Sequence, residues 1–255
     1  MITVKNEHEL ELMENSSIIV AQTFEFIGTL IKPGISTQYI DEQVEKFIES
    51  KNARPAFKGL YGFPASACIS IDEEVVHGIP SSKIILKEGQ IISIDVGVEF
   101  EGYYGDAAYT FPVGEIEDKK QKLLETTWES LFKGIEKASA GNRLQDISFA
   151  VQHHAETHGY SVVRELVGHG IGKKLHEDPQ VPNYGQPGRG PLLKPGMTLA
   201  IEPMINMGEA KVFTKPDGWT IVTSDFKPSA HYEHTVLILN GKAKILTEFN
   251  LTPKG

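Results

Sequence analysis

The sequence predicts an α+β chain built from two similar halves. Three observations support this prediction: an order of two helices followed by strands occurs twice, segments 107 residues apart match, and each matched segment ends in an acid. The halves are expected to span approximately residues 1–113 and 114–255. With 255 residues and 40% hydrophobic content, the chain can form a sizeable core in one large domain or two small ones.

Apolar residues at helical spacing begin each half. A first helix is expected over residues 7–30, where Lys32-Pro33-Gly34 stops it. Ser36 can cap a second helix that runs to about residue 50. The second half repeats this arrangement with expected helices over residues 117–138 and 144–157.

Short apolar runs follow the helices in both halves and predict strands. In the first half they cover residues 67–71, 91–100 and 103–111, with a hairpin turn expected within residues 99–102. In the second half they cover residues 162–167, 198–206, 219–223 and 234–239.

The internal repeat is clearest between residues 86–95 and 193–202, where five of ten aligned positions are identical or keep an acid. The same shift places Gly34 over Gly141 and aligns apolar positions of the second helix of each half. Asp95 and Glu202 end the matched segments. A pseudo-two-fold axis would relate them and would bring two acidic strands to one central site.

Composition narrows the class of protein. The formal net charge is −9, and no run of Lys or Arg exceeds two residues, which argues against a general nucleic-acid binder. Cys68 is the only cysteine, so no internal disulfide can form, as suits a reducing compartment. The N-terminal residues do not resemble a signal peptide, and the apolar runs are far short of the ~20 residues that span a bilayer. A soluble cytoplasmic protein is therefore expected.

Asp95 and Asp106 are eleven residues apart across a turn near Gly102. Residues facing each other in a hairpin have Cβ atoms ~4.5–5.5 Å apart. Two buried carboxylates that close repel each other and raise one pKa, and a cation between them removes the penalty. The alternative is a surface hairpin with two exposed aspartates, but the surrounding apolar residues, Ile94 and Val96 among them, argue against exposure.

Two further acids and one histidine complete a candidate metal-binding set. Glu202 follows the apolar run 199–201, and Glu233 begins another apolar strand. Either acid alone could be an edge-strand charge that prevents aggregation. His169 lies in VGHGIG, where glycines allow close backbone approach, although alone it could be an ordinary loop histidine. Four acids with one imidazole suit a pair of divalent first-row metals better than a structural zinc.

The remaining histidines fall into three groups. His77 in VVHGIP and His176 in KKLHEDPQVP lie off any amphipathic helix and could donate a hydrogen bond or move a proton. His231 shares a strand face with Glu233 and could approach the acids, whereas His234 points the other way. Solvated positions on polar helix faces are expected for His8, His153, His154 and His158.

Five segments together closely resemble the type I methionine aminopeptidases over essentially the whole chain. They read SACISIDEEVVHGIP, SIDVGVEFEGYYGDAAYTF, VGHGIGKKLHEDPQVPNY, LAIEPMIN and GWTIVTSDFKPSAHYEHT. The resemblance implies the pita-bread (creatinase/aminopeptidase-like) fold, with two pseudo-symmetric αβ halves around a curved antiparallel sheet, as a single catalytic domain over residues 1–255. The short interval between Glu202 and Glu233 leaves no room for the helical insertion of type II enzymes.

The resemblance also implies roles for the site residues. The metal ligands would be Asp95, Asp106, His169, Glu202 and Glu233, which hold two divalent ions of cobalt, manganese, iron or zinc. Asp106 and Glu233 would bridge the ions, Asp95 would complete one of them, and His169 with Glu202 would complete the other. Glu202 is the candidate acceptor of the water proton, while His77 and His176 would contact the substrate and stabilise its transition state.

The methionine pocket implied by the resemblance departs from the family pattern. Its expected lining is Phe57, Phe63, Cys68, Leu175 and Trp219. Phe63 replaces a more usual tyrosine and Leu175 a phenylalanine. Leu60-Tyr61 replaces a Tyr-His pair, and His231 replaces a glutamine. The lining remains apolar enough for a thioether, which packs against aromatic rings.

The implied function is co-translational removal of the initiator methionine from nascent proteins, favouring a small second residue. The enzyme would be a cytoplasmic monomer with transient ribosome contact and without membrane or nucleic-acid binding. One alternative with the same ligands is a proline-cleaving aminopeptidase or prolidase, although those enzymes usually add a large N-terminal domain. The other is an inactive module that only binds peptides or the ribosome, but such relatives generally lose ligands.

Overall fold

The computed structural model describes residues 1–253 and contains helices packed against a large antiparallel sheet. The α-helices are α1 (Glu7–Gly28), α2 (Thr37–Ser50), α3 (Asp118–Ile135) and α4 (Leu144–Thr157). The strands of the first half are β1 (Arg54–Pro55), β2 (Cys68–Ile71), β3 (Glu74–Val76), β4 (Ile91–Phe100) and β5 (Tyr103–Pro112). Those of the second half are β6 (Ser161–Val162), β7 (Val167–Gly170), β8 (Glu177–Pro182), β9 (Thr198–Ile201), β10 (Met204–Asn206), β11 (Val212–Thr214), β12 (Ile221–Thr223), β13 (Ser229–His231), β14 (Glu233–Leu237) and β15 (Lys244–Ile245).

Local capping explains where the first two helices begin. The side chain of Asn6 accepts a hydrogen bond from the backbone N–H of Glu9, whose carboxylate accepts from the N–H of Asn6. Ser36 caps α2 as predicted, because its hydroxyl accepts from the backbone N–H of Tyr39 at 3.2 Å. The prediction for α4 is confirmed at both ends, whereas α1 and α3 end two and three residues earlier than expected.

A nine-stranded sheet dominates residues 1–253, with the order β1-β4-β5-β14-β9-β7-β8. Strand β2 also pairs with β4, and β15 pairs with β14. The first half therefore supplies β1, β2, β4 and β5, the second half supplies the rest, and the halves join where β5 pairs with β14. The residues described also form two smaller three-stranded sheets, with the orders β13-β10-β6 and β11-β12-β3.

The β4–β5 hairpin is closed by a two-residue turn inside the predicted segment. Glu101 and Gly102 both have positive φ, 51° and 83°, which is the conformation of a type I′ hairpin turn. Phe100 is consequently paired with Tyr103, and this pairing fixes the register of the whole ten-residue hairpin.

Two predicted strands of the second half are divided in the structure. The segment 162–167 forms the end of β6 and the start of β7, with a loop between them. The segment 198–206 is broken between β9 and β10, which belong to different sheets. Pro203 lies at that break and has no backbone N–H to donate to a neighbouring strand.

Backbone contacts 107 residues apart show the two-fold relation of the halves. The N–H of Gly34 donates to the carbonyl of Leu86 at 2.9 Å, and the N–H of Gly141 donates to that of Leu193 at 3.1 Å. Both glycines have positive φ, 90° and 94°. The repeated sequence therefore forms the same contact in both halves, between the turn before the second helix and the loop before the matched strand.

The apolar core lies between the helices and one face of the sheet. Val20, Phe24 and Ile27 of α1 belong to the same buried cluster as Ile92 and Ile94 of β4. Because side chains alternate along a strand, residues 93, 95 and 97 of β4 face the opposite side, where the candidate site is found. No helix within residues 1–253 is both long enough and apolar enough to cross a bilayer.

Candidate metal centre and its cavity

The register of the central strands brings three predicted ligands to one face of the sheet. Asp95 of β4 pairs with Ala108 of β5, and Ala108 pairs in turn with Glu233 of β14. Asp106 lies two residues before Ala108 and therefore shares its face. The small side chain of Ala108 leaves room between the surrounding carboxylates.

Asp95 and Asp106 lie on a diagonal rather than directly opposite each other. Asp106 pairs with Gly97, two residues beyond Asp95 on the same strand. The expectation that the two aspartates face each other directly is therefore wrong. Asp95 also lies in the middle of β4, whereas Glu202 directly follows β9. The repeat-related acids are thus not both at strand ends, because the hairpin turn extends β4 five residues beyond Asp95.

The other two predicted ligands come from the second half. His169 of β7 pairs with Ala200 of β9, which pairs with Thr235 of β14. Glu202 lies two residues beyond Ala200, on the same face by strand alternation. The sheet therefore collects all five predicted ligands on one face, from four strands and the residue that follows β9.

Interatomic distances show that four of these five side chains lie close together. One ligand atom from each of Asp106, His169 and Glu233 lies within 4.8 Å of the others. The Nε2 atom of His169 is 3.8 Å from Oδ2 of Asp106 and 3.6 Å from Oε1 of Glu202. The Nδ1 atom of His169 is 2.9 Å from the carbonyl of Gly170, so an Nδ1–H donor leaves the Nε2 lone pair facing the carboxylates.

The glycines beside His169 are required by close backbone approach, as their sequence positions predict. A Cβ atom on Gly168 would lie 2.4 Å from the carbonyl oxygen of Ala200. A Cβ atom on Gly170 would lie 2.1 Å from that of Asp178. Neither contact is sterically allowed, so β7 can approach both of its neighbours only with glycine on each side of the histidine.

Burial opposes ionisation of the carboxylates in this cluster. It raises the pKa of Asp95 to about 8 from an ordinary 3.8. Burial raises the pKa values of Asp106, Glu202 and Glu233 well above their usual range, and the neighbouring acids raise each of them further. Burial, with a smaller effect of His176, lowers the pKa of His169 to about 4.

The donor set fits divalent metal ions. Oδ1 of Asp95, Oδ1 of Asp106 and Oε1 of Glu233 are buried and accept no hydrogen bond from any described residue. Unpaired buried oxygens cost free energy unless a cation or donor satisfies them. Several carboxylates and one neutral imidazole are ligands that divalent first-row metals accept, so these residues could hold such ions.

An apolar cavity of about 850 Å³ opens onto the cluster. Its wall includes four of the five predicted pocket residues, Phe57, Phe63, Cys68 and Trp219. The rings of Phe63 and Trp219 meet edge to face with centroids 5.2 Å apart. Leu175 does not line the cavity directly but belongs to the buried apolar cluster that contains Phe57, Phe63 and Cys68.

Cys68 functions as an apolar wall residue in this cavity. It pairs with Asp95 across β2 and β4 and is buried. Burial raises the pKa of its thiol well above the usual value, and the nearby Asp95 carboxylate adds to that effect. The thiol therefore stays protonated and unreactive near neutral pH.

His77, His176 and the exposed ring of Tyr61 also line the cavity. His77 has a positive φ of 59°, a conformation uncommon for residues other than glycine. The ring of His176 meets that of His169 edge-on at 4.6 Å and is nearly parallel to that of Tyr61 at 6.4 Å. Burial lowers the pKa values of His77 and His176, so both rings are neutral at pH 7.

The imidazole of His231 is buried without a hydrogen-bond partner among the described residues, which its sequence position did not indicate. Both ring nitrogens are buried and have no hydrogen-bond partner among residues 1–253. Its Nε2 atom lies 3.9 Å from Oε2 of Glu202, so Glu202 is placed between the rings of His169 and His231. In the sequence, the two-residue spacing from Glu233 and the replacement of a usual glutamine indicated that His231 lies near the acids, but not that both of its nitrogens are buried. His234 points away, as predicted, and contacts Thr247.

One histidine prediction is wrong. His154 was expected to be solvated, but its side chain is only 16% exposed and its Nε2 lies 3.1 Å from Oε2 of Glu129. His8, His153 and His158 are exposed, as expected. Sequence periodicity missed the partner of His154 because Glu129 belongs to a different helix, α3.

The class of protein that this fold and site define is a metal-dependent hydrolase. A buried carboxylate cluster that needs cations and opens onto a cavity of substrate size is the arrangement in which metal ions activate water. Comparison with known proteins makes the class more specific. Residues 11–240 match the model of metallopeptidase family M24.

Curated relatives match along nearly the full chain. The methionine aminopeptidase of Clostridium perfringens is 55% identical over 247 residues, covering 97% of this chain and 99% of that protein. Methionine aminopeptidase 1 of Bacillus subtilis is 53% identical with the same coverage. The protein belongs to metallopeptidase family M24.

Solved structures agree with the fold. The crystal structure of methionine aminopeptidase from Thermotoga maritima has a TM-score of 0.96 and 44% identity, covering 97% of this chain and all of that one. The prolidase from Pyrococcus furiosus has a TM-score of 0.80 at 23% identity, and this chain covers 66% of it. The second likeness shows a shared fold only. Together they confirm the predicted pita-bread architecture.

Proposed function

We propose that this metallopeptidase removes the initiator methionine from nascent proteins and favours a small second residue. The observation that supports this most directly is the apolar cavity beside the metal-binding cluster. Its wall of Phe57, Phe63, Cys68 and Trp219 suits an unbranched thioether, which packs well against aromatic rings. The methionine aminopeptidases that match this chain along its length provide independent support.

The proposed metal ligands are Asp95, Asp106, His169, Glu202 and Glu233. Asp106 and Glu233 would be shared between two ions, Asp95 would complete one of them, and His169 with Glu202 would complete the other. The diagonal placement of Asp95 and the 3.6 Å separation of His169 from Glu202 support this division. When bound, divalent ions lower the pKa of water and polarise the scissile carbonyl.

The side chains would carry the remaining steps. Glu202 is the proposed acceptor of the proton from the attacking water, because it lies at the edge of the cluster and its second oxygen points away from His169 towards His231. His77 and His176 are neutral and border the cavity, so each can donate one N–H to the substrate peptide or to the developing oxyanion. Leu175 would support the pocket from behind Phe57 and Phe63.

Release of methionine from the peptide Met-Ala-Ser tests the proposal. The enzyme should be dialysed against a chelator and assayed with cobalt, manganese, iron and zinc in turn. We expect metal-dependent release, and slower release when the second residue is bulky. The same fold also contains prolidases, so an Xaa-Pro peptide is the matched comparison. Faster cleavage of Xaa-Pro would contradict the assignment of methionine.

His77→Ala should retain its metal but lose most of its rate. Because His77 lines the cavity without belonging to the carboxylate cluster, its removal should cost about 10²–10³-fold in kcat, typical of one lost transition-state donor. The measurement is kcat for methionine release together with metal content. His8→Ala, a change at an exposed histidine, is the control. Loss of metal from His77→Ala would instead make His77 a ligand.

His231 should hold Glu202 in its working orientation. An imidazole N–H that moves less than an ångström would donate to Oε2 of Glu202, and a hydrogen bond to a charged group is worth about 1.5–3 kcal/mol. We expect His231→Leu to lower kcat about tenfold or more with unchanged metal content and little change in KM. His231→Gln supplies an amide donor and should restore most of the rate. Equal impairment of both variants would exclude this role.

The wider setting is also a proposal. Residues 1–255 would form a single catalytic domain with halves of approximately 1–113 and 114–255, which the matched contacts of Gly34 and Gly141 support. A cytoplasmic monomer with transient ribosome contact suits an enzyme that acts on nascent chains. The net charge of −9 supports the absence of nucleic-acid binding.

A further inference from the structure

We propose that Glu129, His154 and His158 form a second, peripheral site for a divalent transition-metal ion such as nickel or zinc. Within residues 1–253, two groups of three side chains bring one potential ligand atom each within 4.8 Å of the others. One is the cluster of the catalytic cavity. The other is this group, which joins α3 to the C-terminal end of α4.

Helix geometry places the two histidines together. His154 and His158 are four residues apart, so they project from the same face of α4 and its C-cap. Their ring centroids are 4.4 Å apart. Glu129 reaches the same point from α3, with Oε2 at 3.1 Å from Nε2 of His154. Metal bonds of about 2.0–2.1 Å in a tetrahedral site put neighbouring ligand atoms about 3.3 Å apart. Oε2 of Glu129 and Nε2 of His154 are therefore already close to the separation that two ligands of one ion would have.

Hydrogen bonding prepares His158 for a metal. Its Nδ1 atom is 2.7 Å from the backbone carbonyl of His154, so an Nδ1–H donor leaves the Nε2 lone pair free. A backbone carbonyl in this role fixes the tautomer of metal-binding histidines in proteins. His169 in the catalytic cluster has the same arrangement with the carbonyl of Gly170.

The surroundings allow an ion to enter and favour neutral imidazole. His154 lines a shallow surface cavity of about 730 Å³, and His158 and Glu129 are exposed. Burial, followed by the influence of His158, lowers the pKa of His154, so a proton competes weakly for its ring near pH 7. Lys133 is the nearby cation that opposes binding, whereas the Glu129 carboxylate favours it.

Two imidazoles and one carboxylate suit zinc, nickel, cobalt or copper, with water in the open position. A bound ion would connect α3 to the end of α4. None of the three residues lines the catalytic cavity. Occupation of this site should therefore stabilise the fold without a requirement in catalysis.

Nickel binding to the tag-free enzyme tests the proposal. Wild type and the variants His158→Ala, Glu129→Ala and His153→Ala would be titrated with nickel alone by calorimetry, with bound nickel counted by mass spectrometry. His153→Ala is the matched control, because His153 is exposed on the same helix and stacks on Phe149 instead of joining the group. We expect His158→Ala and Glu129→Ala to bind one nickel fewer than wild type and His153→Ala.

A thermal measurement separates the peripheral site from the catalytic one. Nickel should raise the unfolding temperature of wild type more than that of His158→Ala or Glu129→Ala, while methionine release stays the same in all four proteins. Glu129→Ala removes an exposed side chain and should fold normally. If His158→Ala folds poorly, the nickel stoichiometry of Glu129→Ala provides the test. Equal nickel stoichiometry in wild type and Glu129→Ala would overturn the proposal, whatever the outcome for methionine release.

Discussion

Replacing Asp95 with asparagine, or Glu233 with glutamine, is expected to abolish methionine release. Each substitution removes a negative charge and a buried oxygen that no described residue satisfies. Lewis-acid stabilisation of the transition state by metal ions is worth several kcal/mol, so the expected loss in kcat/KM is on the order of a thousandfold or more. Activity and metal content after dialysis are the two measurements.

The control is Glu101→Gln, which makes the same change of charge at the exposed turn of the β4–β5 hairpin. It should behave as wild type. Without metal, Asp95→Asn should be at least as stable as wild type, because it removes a buried group whose ionisation opposes folding. Full activity of either ligand variant with added manganese or cobalt would refute the ligand assignment.

Removal of the metal should destabilise the protein, and more strongly at pH 8 than at pH 5. Without a cation, Asp95 has a pKa of about 8 in the folded chain and an ordinary value of 3.8. Between these values the folded state holds a proton that the unfolded state has released. The contribution of Asp95 to the unfolding free energy of the metal-free protein therefore falls as pH rises through this window, while buried His169 opposes this trend only below its ordinary value of 6.5. The raised pKa values of Asp106, Glu202 and Glu233 act in the same direction.

Added metal should restore the lost stability, because cations compensate the charge of the ionised carboxylates. Metal ions also bind more tightly as these carboxyl groups lose their protons. A ligand at 100 times its dissociation constant contributes about 2.7 kcal/mol, or roughly 5–11 °C in unfolding temperature for a chain of this size. Calorimetric scans from pH 5 to pH 8, with manganese and after chelation, measure the difference. The metal-free Asp95→Asn protein should show a weaker pH dependence than metal-free wild type. The prediction would be contradicted if the difference in unfolding temperature between the metal-bound and the metal-free protein stayed constant from pH 5 to pH 8.

Features determined by local chemistry could be predicted from the sequence. The cap at Ser36 and the bounds of α4 follow from short-range hydrogen bonds and helical periodicity, and the structure agrees with both. The β4–β5 hairpin follows from its apolar strands and the Glu101-Gly102 turn. The repeat required only alignment of the chain with itself, and it indicated correctly that acids from two halves meet.

Features determined by strand pairing could not be predicted in this way. The turn geometry sets Asp95 against Ala108 and places Asp106 on the diagonal, a register that composition does not encode. The break at Pro203 sends β10 to a separate sheet, although the segment reads as one continuous apolar strand. The sequence pattern indicated four acids and His169 as a candidate metal-binding set, and the motif resemblance supplied their individual roles. The raised pKa values of the four acids arise only from burial in the folded chain, with further repulsion at Asp106, Glu202 and Glu233.

The sequence by itself thus determined the helices, the hairpin, the repeat and the residue types suited to holding metal. Only the tertiary structure decided which side chains lack a partner and which gain one. His231 is buried beside Glu202 and has no partner for either ring nitrogen within residues 1–253, and His154 meets Glu129 of another helix. The physical reason is that capping and periodicity act over a few residues, whereas burial and pairing depend on segments brought together from distant parts of the chain.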